Sequence, residues 1–210
     1  MAVMPMFPLG MALLPGAVLP LHVFEPRYRQ MVHDILGDDV DAPEFGVVMI
    51  ERGREVGGGD TRTHVGTVAR VVDMRALPDG RYALVAVGHE RLRVNAWLPD
   101  DPYPLADVDL WPDDDLGSVD LDEAARAIDG LHTRVRELNE EVRALGEMTP
   151  PPDAEIADDP HLALYHLGSL APLGPADRQH MLDAPTLGER LGVFATALDD
   201  AAAVVRFRSA

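Results

Sequence analysis

The 210-residue sequence contains no cysteine and no lysine. Without cysteine there can be no disulfide, no thiolate metal site and no cysteine nucleophile, which suits a cytoplasmic protein. Without lysine there can be no P-loop on nucleotide phosphates. A Ser-Lys dyad, a Schiff base and a pyridoxal site are excluded for the same reason. Serine is nearly absent too: Ser118, Ser169 and Ser209 are the whole set, and none sits in a nucleophile elbow. No apolar run approaches the roughly 18 residues that a membrane helix needs. The first residues lack the basic region of a secretory signal.

What is present is a sizeable apolar fraction, 47%, and a large excess of negative charge, −18. All 18 basic residues are arginine. Residues 1–112 carry 10 Arg against 16 carboxylates, and residues 113–210 carry 8 against 20. Both stretches would repel phosphate backbones and anionic lipid heads, so neither nucleic acid nor membrane is an expected partner. The ordinary meaning of such charge is a solvated surface; its functional meaning would be attraction of basic polypeptides.

The stretch Pro15 to Arg29 organises the first part of the chain. Leu14-Pro15-Gly16 reads as a turn. Ala17 to Phe24 reads as a mostly buried strand. Pro20 offers no ladder N–H, which places this strand at a sheet edge or at a bulge. Glu25-Pro26 opens a helix to about Leu36, with Pro at its first position. Its apolar stripe is Tyr28, Met31, Val32, Ile35 and Leu36, and Gly37 is expected to cap it.

Further strands are expected at Met6–Leu9, Phe45–Ile50, His64–Leu77, Arg81–Val87, Leu92–Leu98 and Ala106–Leu110. Gly66 marks a bulge or a close approach, Pro78-Asp79-Gly80 a hairpin turn, and Gly88 a break between two strands. Gly57-Gly58-Gly59 reads as a connecting loop; no lysine or serine follows to make it a phosphate cradle. Strands at hairpin distances with one early helix indicate a small, strongly bent sheet or partial barrel.

Asp113-Asp114-Asp115 begins a linker. It fails as a calcium loop, because Ser118 and Ala124 stand where Gly and Glu are needed, and it reads as a solvated charge run. Asp120 and Glu123 then look like a capped helix start. Leu121, Ile128, Val135 and Val142 recur every seven residues, as do Ala124, Leu131, Leu138 and Leu145. This heptad seam suits either a long helix laid on the chain's own later helices or a coiled coil between two copies. Helices from Pro160, from Pro175 and from Thr186 complete a bundle; the last has Leu187, Leu191, Phe194 and Leu198 as its buried stripe. The fold class is therefore α+β, with a β-rich region at 1–112 and an α-helical bundle with one long helix at 120–210.

His161 and His166 lie five apart, a poor spacing for two metal ligands on one helix face. Glu25 with Arg27, and Glu90 with Arg91, read as capping and surface pairs. No catalytic constellation, metal site or cofactor site is expected. What remains is apolar and aromatic material near the corner: Leu21, Phe24, Tyr28, Met31 and Trp97, with Arg27 beside them. Core packing accounts for most such residues. A groove built from them would bind an extended polypeptide through its apolar side chains.

The segment PGAVLPLHVFEPRYRQMV resembles the opening of the N-terminal, substrate-recognition domain of Lon proteases, especially the small stand-alone bacterial proteins made of that domain. Phe45-Gly46-Val47-Val48, Val65 to Ala69, Asp79 to Tyr82 and Gly88 to Val94 fit as well. So do Leu170 to Leu173, Asp177-Arg178-Gln179, Leu182 and Arg190-Leu191. Each motif is weak alone; their order over nearly the whole chain carries the likeness. The resemblance implies a PUA-like pseudo-barrel and binding of exposed apolar segments of unfolded or client proteins, with delivery to a separate protease or a holdase role. Full-length Lon uses an ATPase domain and a Ser-Lys protease domain, and a chain without lysine cannot supply that dyad, so the expectation is a non-catalytic module. Rival readings are a PUA-like RNA-binding protein, which the charge opposes, a structural protein dimerising through residues 121–145, and an enzyme built on carboxylates.

Overall fold

The computed structural model describes residues 2–37, 42–53 and 59–209. Gly57 and Gly58 of the three-glycine loop lie outside the described residues. The chain divides into two compact units, Met1–Pro112 and Asp113–Ala210.

The first unit contains β1 (Ala2–Leu9), β2 (Val18–Val23), α1 (Pro26–Ile35), β3 (Glu44–Arg52), β4 (Thr61–Ala76), β5 (Tyr82–Leu98) and β6 (Leu105–Leu110). The strand order is β2-β5-β4-β3-β1-β6, and a further pairing of β5 with β6 closes the sheet into a pseudo-barrel. Only β1 and β3 run parallel. β2 lies outside the closed ring as the end strand, the edge position that Pro20 requires. α1 carries Pro at its first turn and buries Tyr28, Met31, Val32 and Ile35. These join Leu9, Leu19, Val23, Phe45 and Leu84 in one core cluster. A second cluster, around Met6, Val48, Val68, Leu92 and Val108, fills the other part of the sheet.

Two expectations change. Gly88 does not break a strand, for β5 runs through it without interruption. Instead, an added Cβ there would collide with the Leu14 carbonyl, and Gly88 exchanges hydrogen bonds with Gly16 and Ala17. The missing side chain admits the Leu13–Ala17 turn. Nor does Gly37 cap α1 with a left-handed residue: Leu36 is the cap, at φ −87°. Gly66 is a close-approach point as expected, with the Val47 carbonyl where its Cβ would stand.

The second unit contains α2 (Leu121–Ala144), α3 (Pro160–Leu170), α4 (Pro175–Asp183) and α5 (Leu187–Ser209). Asp120 caps α2 by accepting the Glu123 N–H at 3.0 Å, and Asp159 caps α3 by accepting that of His161. The heptad seam of α2 is buried from Ala124 to Val142 and contacts α3 and α5 of the same chain; Leu121, at its start, is exposed. The seam is therefore filled within one molecule. The acidic run is not solvated throughout, because the Asp113 side chain is buried. The stripe of α5 is also altered: Leu191 is only half-buried, and Arg190 is fully buried beside Leu187 and Phe194. No helix among the described residues is long and apolar enough to cross a membrane.

Two glycines test this packing in opposite directions. Gly66→Ala is expected to destabilise the first unit by about 1–3 kcal/mol, because the obstacle is backbone. Gly130→Ala, in the open middle of α2, is expected to stabilise the second by about 0.5–1 kcal/mol. Urea denaturation of each variant measures both.

Candidate functional site

Alternation along β2 sends Leu19, Leu21 and Val23 toward the core and Val18, Pro20 and His22 away from it. Across the ladder, Val18 faces Val87, Pro20 faces Val85 and His22 faces Ala83, so these pairs share the outer face. β4 adds a bulge between Val71 and Asp73, with Val72 as its extra residue. Val18 is 64% exposed, Phe24 52% and Val72 58%. The edge of β2, unpaired among the described residues, thus borders an outer face rich in valine, with Phe24 at the corner where β2 turns into α1.

The six residues singled out from the sequence divide into two groups. Phe24 is exposed and Leu21 is half-buried against the core. Arg27 lies over the Tyr28 ring, 4.5 Å from its centroid, and its Nε donates to Glu25 at 3.2 Å. Trp97 is half-buried beneath the guanidinium of Arg62, which stands 4.6 Å above its ring. Tyr28 and Met31, however, are inside. Tyr28 stacks on Phe7 at 4.1 Å, and Met31 has no exposed surface. They sit on the one helix face that covers the barrel core, so neither offers itself to a ligand. Burial pushes the Tyr28 phenol up to about 12, against the opposing pull of Arg27.

Arg62 also donates through Nε to Asp60 at 2.6 Å and lies 3.6 Å from Asp100. Burial works to raise the Asp60 carboxyl, but the hydrogen bond from Arg62, a backbone hydrogen bond and the charges of Arg62 and Arg27 together outweigh it and hold the group below the usual carboxylate range. Through Trp97 and Asp100, Arg62 ties the start of β4 to the end of β5. The valines of the outer face were missed. Their signal was the alternation of Val18, Pro20, His22 and Phe24, hidden because the stretch reads equally well as a fully buried strand.

A charged cluster in the second unit was missed as well. Arg190 is 0% exposed and the Asp113 side chain 7%. The guanidinium grips Asp113 with both terminal nitrogens, donates through Nε to the Met181 carbonyl at 3.2 Å and lies over the Tyr165 ring at 4.3 Å. Nδ1 of His161 approaches the same carboxylate at 2.6 Å. His166 accepts the Ala157 N–H at Nδ1, and burial lowers its pKa below 6.5. These are structural roles. Among the described residues, no group of three or more His, Asp or Glu is placed to hold a metal ion.

Residues 3–199 match the model of the ATP-dependent protease La (LON) substrate-binding domain. The chain belongs to this family. It is 31% identical over 174 residues to Lon protease 2 of Myxococcus xanthus, covering 81% of this chain and 19% of that protein. It is 30% identical over 200 residues to Lon protease of Anaeromyxobacter dehalogenans, covering 90% and 22%. The chain thus spans about a fifth of the length of these Lon relatives. Its fold matches the crystal structure of a Lon N-terminal domain protein from Xanthomonas campestris, with a TM-score of 0.65, 24% identity and coverage of 93% and 98% of the two chains. The N-terminal domain of a Mycobacterium avium complex Lon protease matches at a TM-score of 0.62 and 16% identity, with coverage of 95% and 99% of the two chains. The pseudo-barrel followed by helices is the Lon N-domain fold.

Two predictions follow from the charged groups of the second unit. Asp113→Ala leaves a buried arginine without its carboxylate and is expected to cost about 3–5 kcal/mol in chemical denaturation. His166, whose folded pKa is depressed, contributes stability in full above pH 6.5 and loses it as pH falls through the folded value. Denaturation midpoints between pH 7.5 and 5 are expected to fall less in His166→Gln than in the wild type.

Proposed function

We propose that the chain is a non-catalytic polypeptide-binding module that takes up exposed apolar segments of unfolded or client proteins. The outer face of β2 and β5 is its contact surface. The carrying observation is the coincidence of an open sheet edge with exposed Val18, Phe24 and Val72. An extended segment can add its backbone to such an edge and lay alternate side chains on the apolar face. Leu21, Arg27 and Trp97 border this reading, whereas Tyr28 and Met31 support the surface from beneath. Binding of this kind, with valines and one phenylalanine, selects for apolar character rather than for a particular sequence. Membership of a substrate-binding family supports polypeptides as the partners. Delivery to a separate protease, or a holdase role, would follow from the same grip.

Anisotropy titration with a labelled, reduced and alkylated model protein tests the reading. Fully burying a side chain such as Phe is worth about 1.5–3 kcal/mol, so Phe24→Ser is expected to weaken binding about tenfold or more. Leu116→Ser, at an exposed apolar position in the second unit, is expected to change nothing. Equal binding by wild type and Phe24→Ser would remove the outer face from consideration.

A further inference from the structure

Along the free edge of β2, the middle position is a proline. Gly88 donates its N–H to the Ala17 carbonyl, so Ala17 points its backbone groups at β5. Backbone direction alternates along a strand, so Leu19, Leu21 and Val23 point theirs at β5 as well, opposite Ala86, Leu84 and Tyr82. Val18, Pro20 and His22 turn theirs the other way. No strand pairs with that side among the described residues, and the side chains of all three are exposed. The edge therefore offers N–H groups at Val18 and His22, and carbonyls at Val18, Pro20 and His22. Pro20 has no N–H to offer.

An open apolar edge is a template for a second copy of the same chain as much as for any other segment. Two copies related by a two-fold axis would lay β2 antiparallel against β2. The register that uses the whole strand puts Val18 opposite His22 and Pro20 opposite Pro20. An ordinary pair in these positions exchanges two hydrogen bonds. The central pair makes neither, and both Pro20 carbonyls lose water without gaining a donor. Each pyrrolidine ring also projects at the partner backbone where an N–H would stand. Slipping the register by one pair sets Pro20 against Val18 or His22 and shortens the ladder. A foreign segment with an ordinary residue opposite Pro20 still gives its N–H to the Pro20 carbonyl. It loses one bond where a second copy loses two.

We propose that Pro20 is a specificity residue: it disfavours edge-to-edge pairing of two copies of this chain and so leaves the β2 edge open to other segments. That those segments are clients rests on the polypeptide-binding reading; the exclusion of a second copy does not. Pro20 thus does more than tolerate an edge position. It decides which strands can share the edge.

Sedimentation equilibrium on the full chain compares the wild type, Pro20→Val, and Pro20→Val combined with His22→Pro. Valine suits a strand and restores the missing N–H. With two hydrogen bonds regained at the centre of the pairing, Pro20→Val is expected to dimerise about tenfold or more tightly than the wild type. The Val18 and His22 amides are expected to exchange more slowly in that dimer. In the double variant each flanking pair loses one bond instead, so its mass is expected to return to that of the wild type. Both variants carry the added valine, which separates the hydrogen bond from the extra apolar surface. Pro20→Ala supplies the same N–H should valine impair folding, which urea midpoints report. Unchanged mass in the folded single variants, a wild-type dimer with Val18 and His22 protected, or a dimer that persists in the double variant would overturn the proposal. Uptake of the unfolded model protein by the wild type, with no dimer in Pro20→Val, removes the role of Pro20 and keeps the binding reading. A Pro20→Val dimer, with no uptake by the wild type, does the reverse.

Discussion

One strand, β5, gives its backbone hydrogen bonds to three neighbours. β4 lies along one side for most of its length; β2 takes the first part of the other side and β6 the second. A flat strand cannot serve partners that diverge in this way, so β5 must bend. Two register shifts against β4 and one against β6 supply the bend, and Gly88 sits where the Leu13–Ala17 turn crosses. Closure of the ring from β5 round to β6 leaves β2 outside, with its far edge unpaired among the described residues. The open edge and the apolar face beside it are consequences of that pairing pattern.

The second unit solves a different problem. It has to pack helices while carrying a large negative charge, and it does so with arginine alone. Arg190 brings a cation into the interior, where a lone charge would be strongly unfavourable, and Asp113 neutralises it through two hydrogen bonds. The same carboxylate receives His161. The start of the unit is thereby tied to α3 and α5. Such a pair is weak as a source of net stability, since both ions lose hydration, but either one left alone is costly.

One surface thus stands apart from the acidic exterior: the apolar face beside the sheet edge, where Val18, Phe24 and Val72 remain exposed. Alternation along β2 leaves Val18 on that face, and the bulge of β4 adds Val72.

Much of the fold was legible in local patterns. Pro20 announced an edge strand or a bulge, Asp120 and Pro160 announced helix starts, and the sevenfold spacing of α2 announced its buried seam. Local rules failed where a distant segment intervened. Gly88 has the look of a breaker but serves as a gap for a turn some seventy residues earlier in the chain. Tyr28 and Met31 form an apolar stripe whose partner, the barrel core, is assembled from strands on both sides of it in sequence. Arg190 resembles any surface arginine until Asp113, 77 residues away, is placed against it. The sequence by itself determined composition, charge, the period of each element and the family to which they belong, because those depend on residues close together. Only the tertiary structure decided which apolar residues stay outside and which charges go inside, because burial is set by what the rest of the chain lays on top.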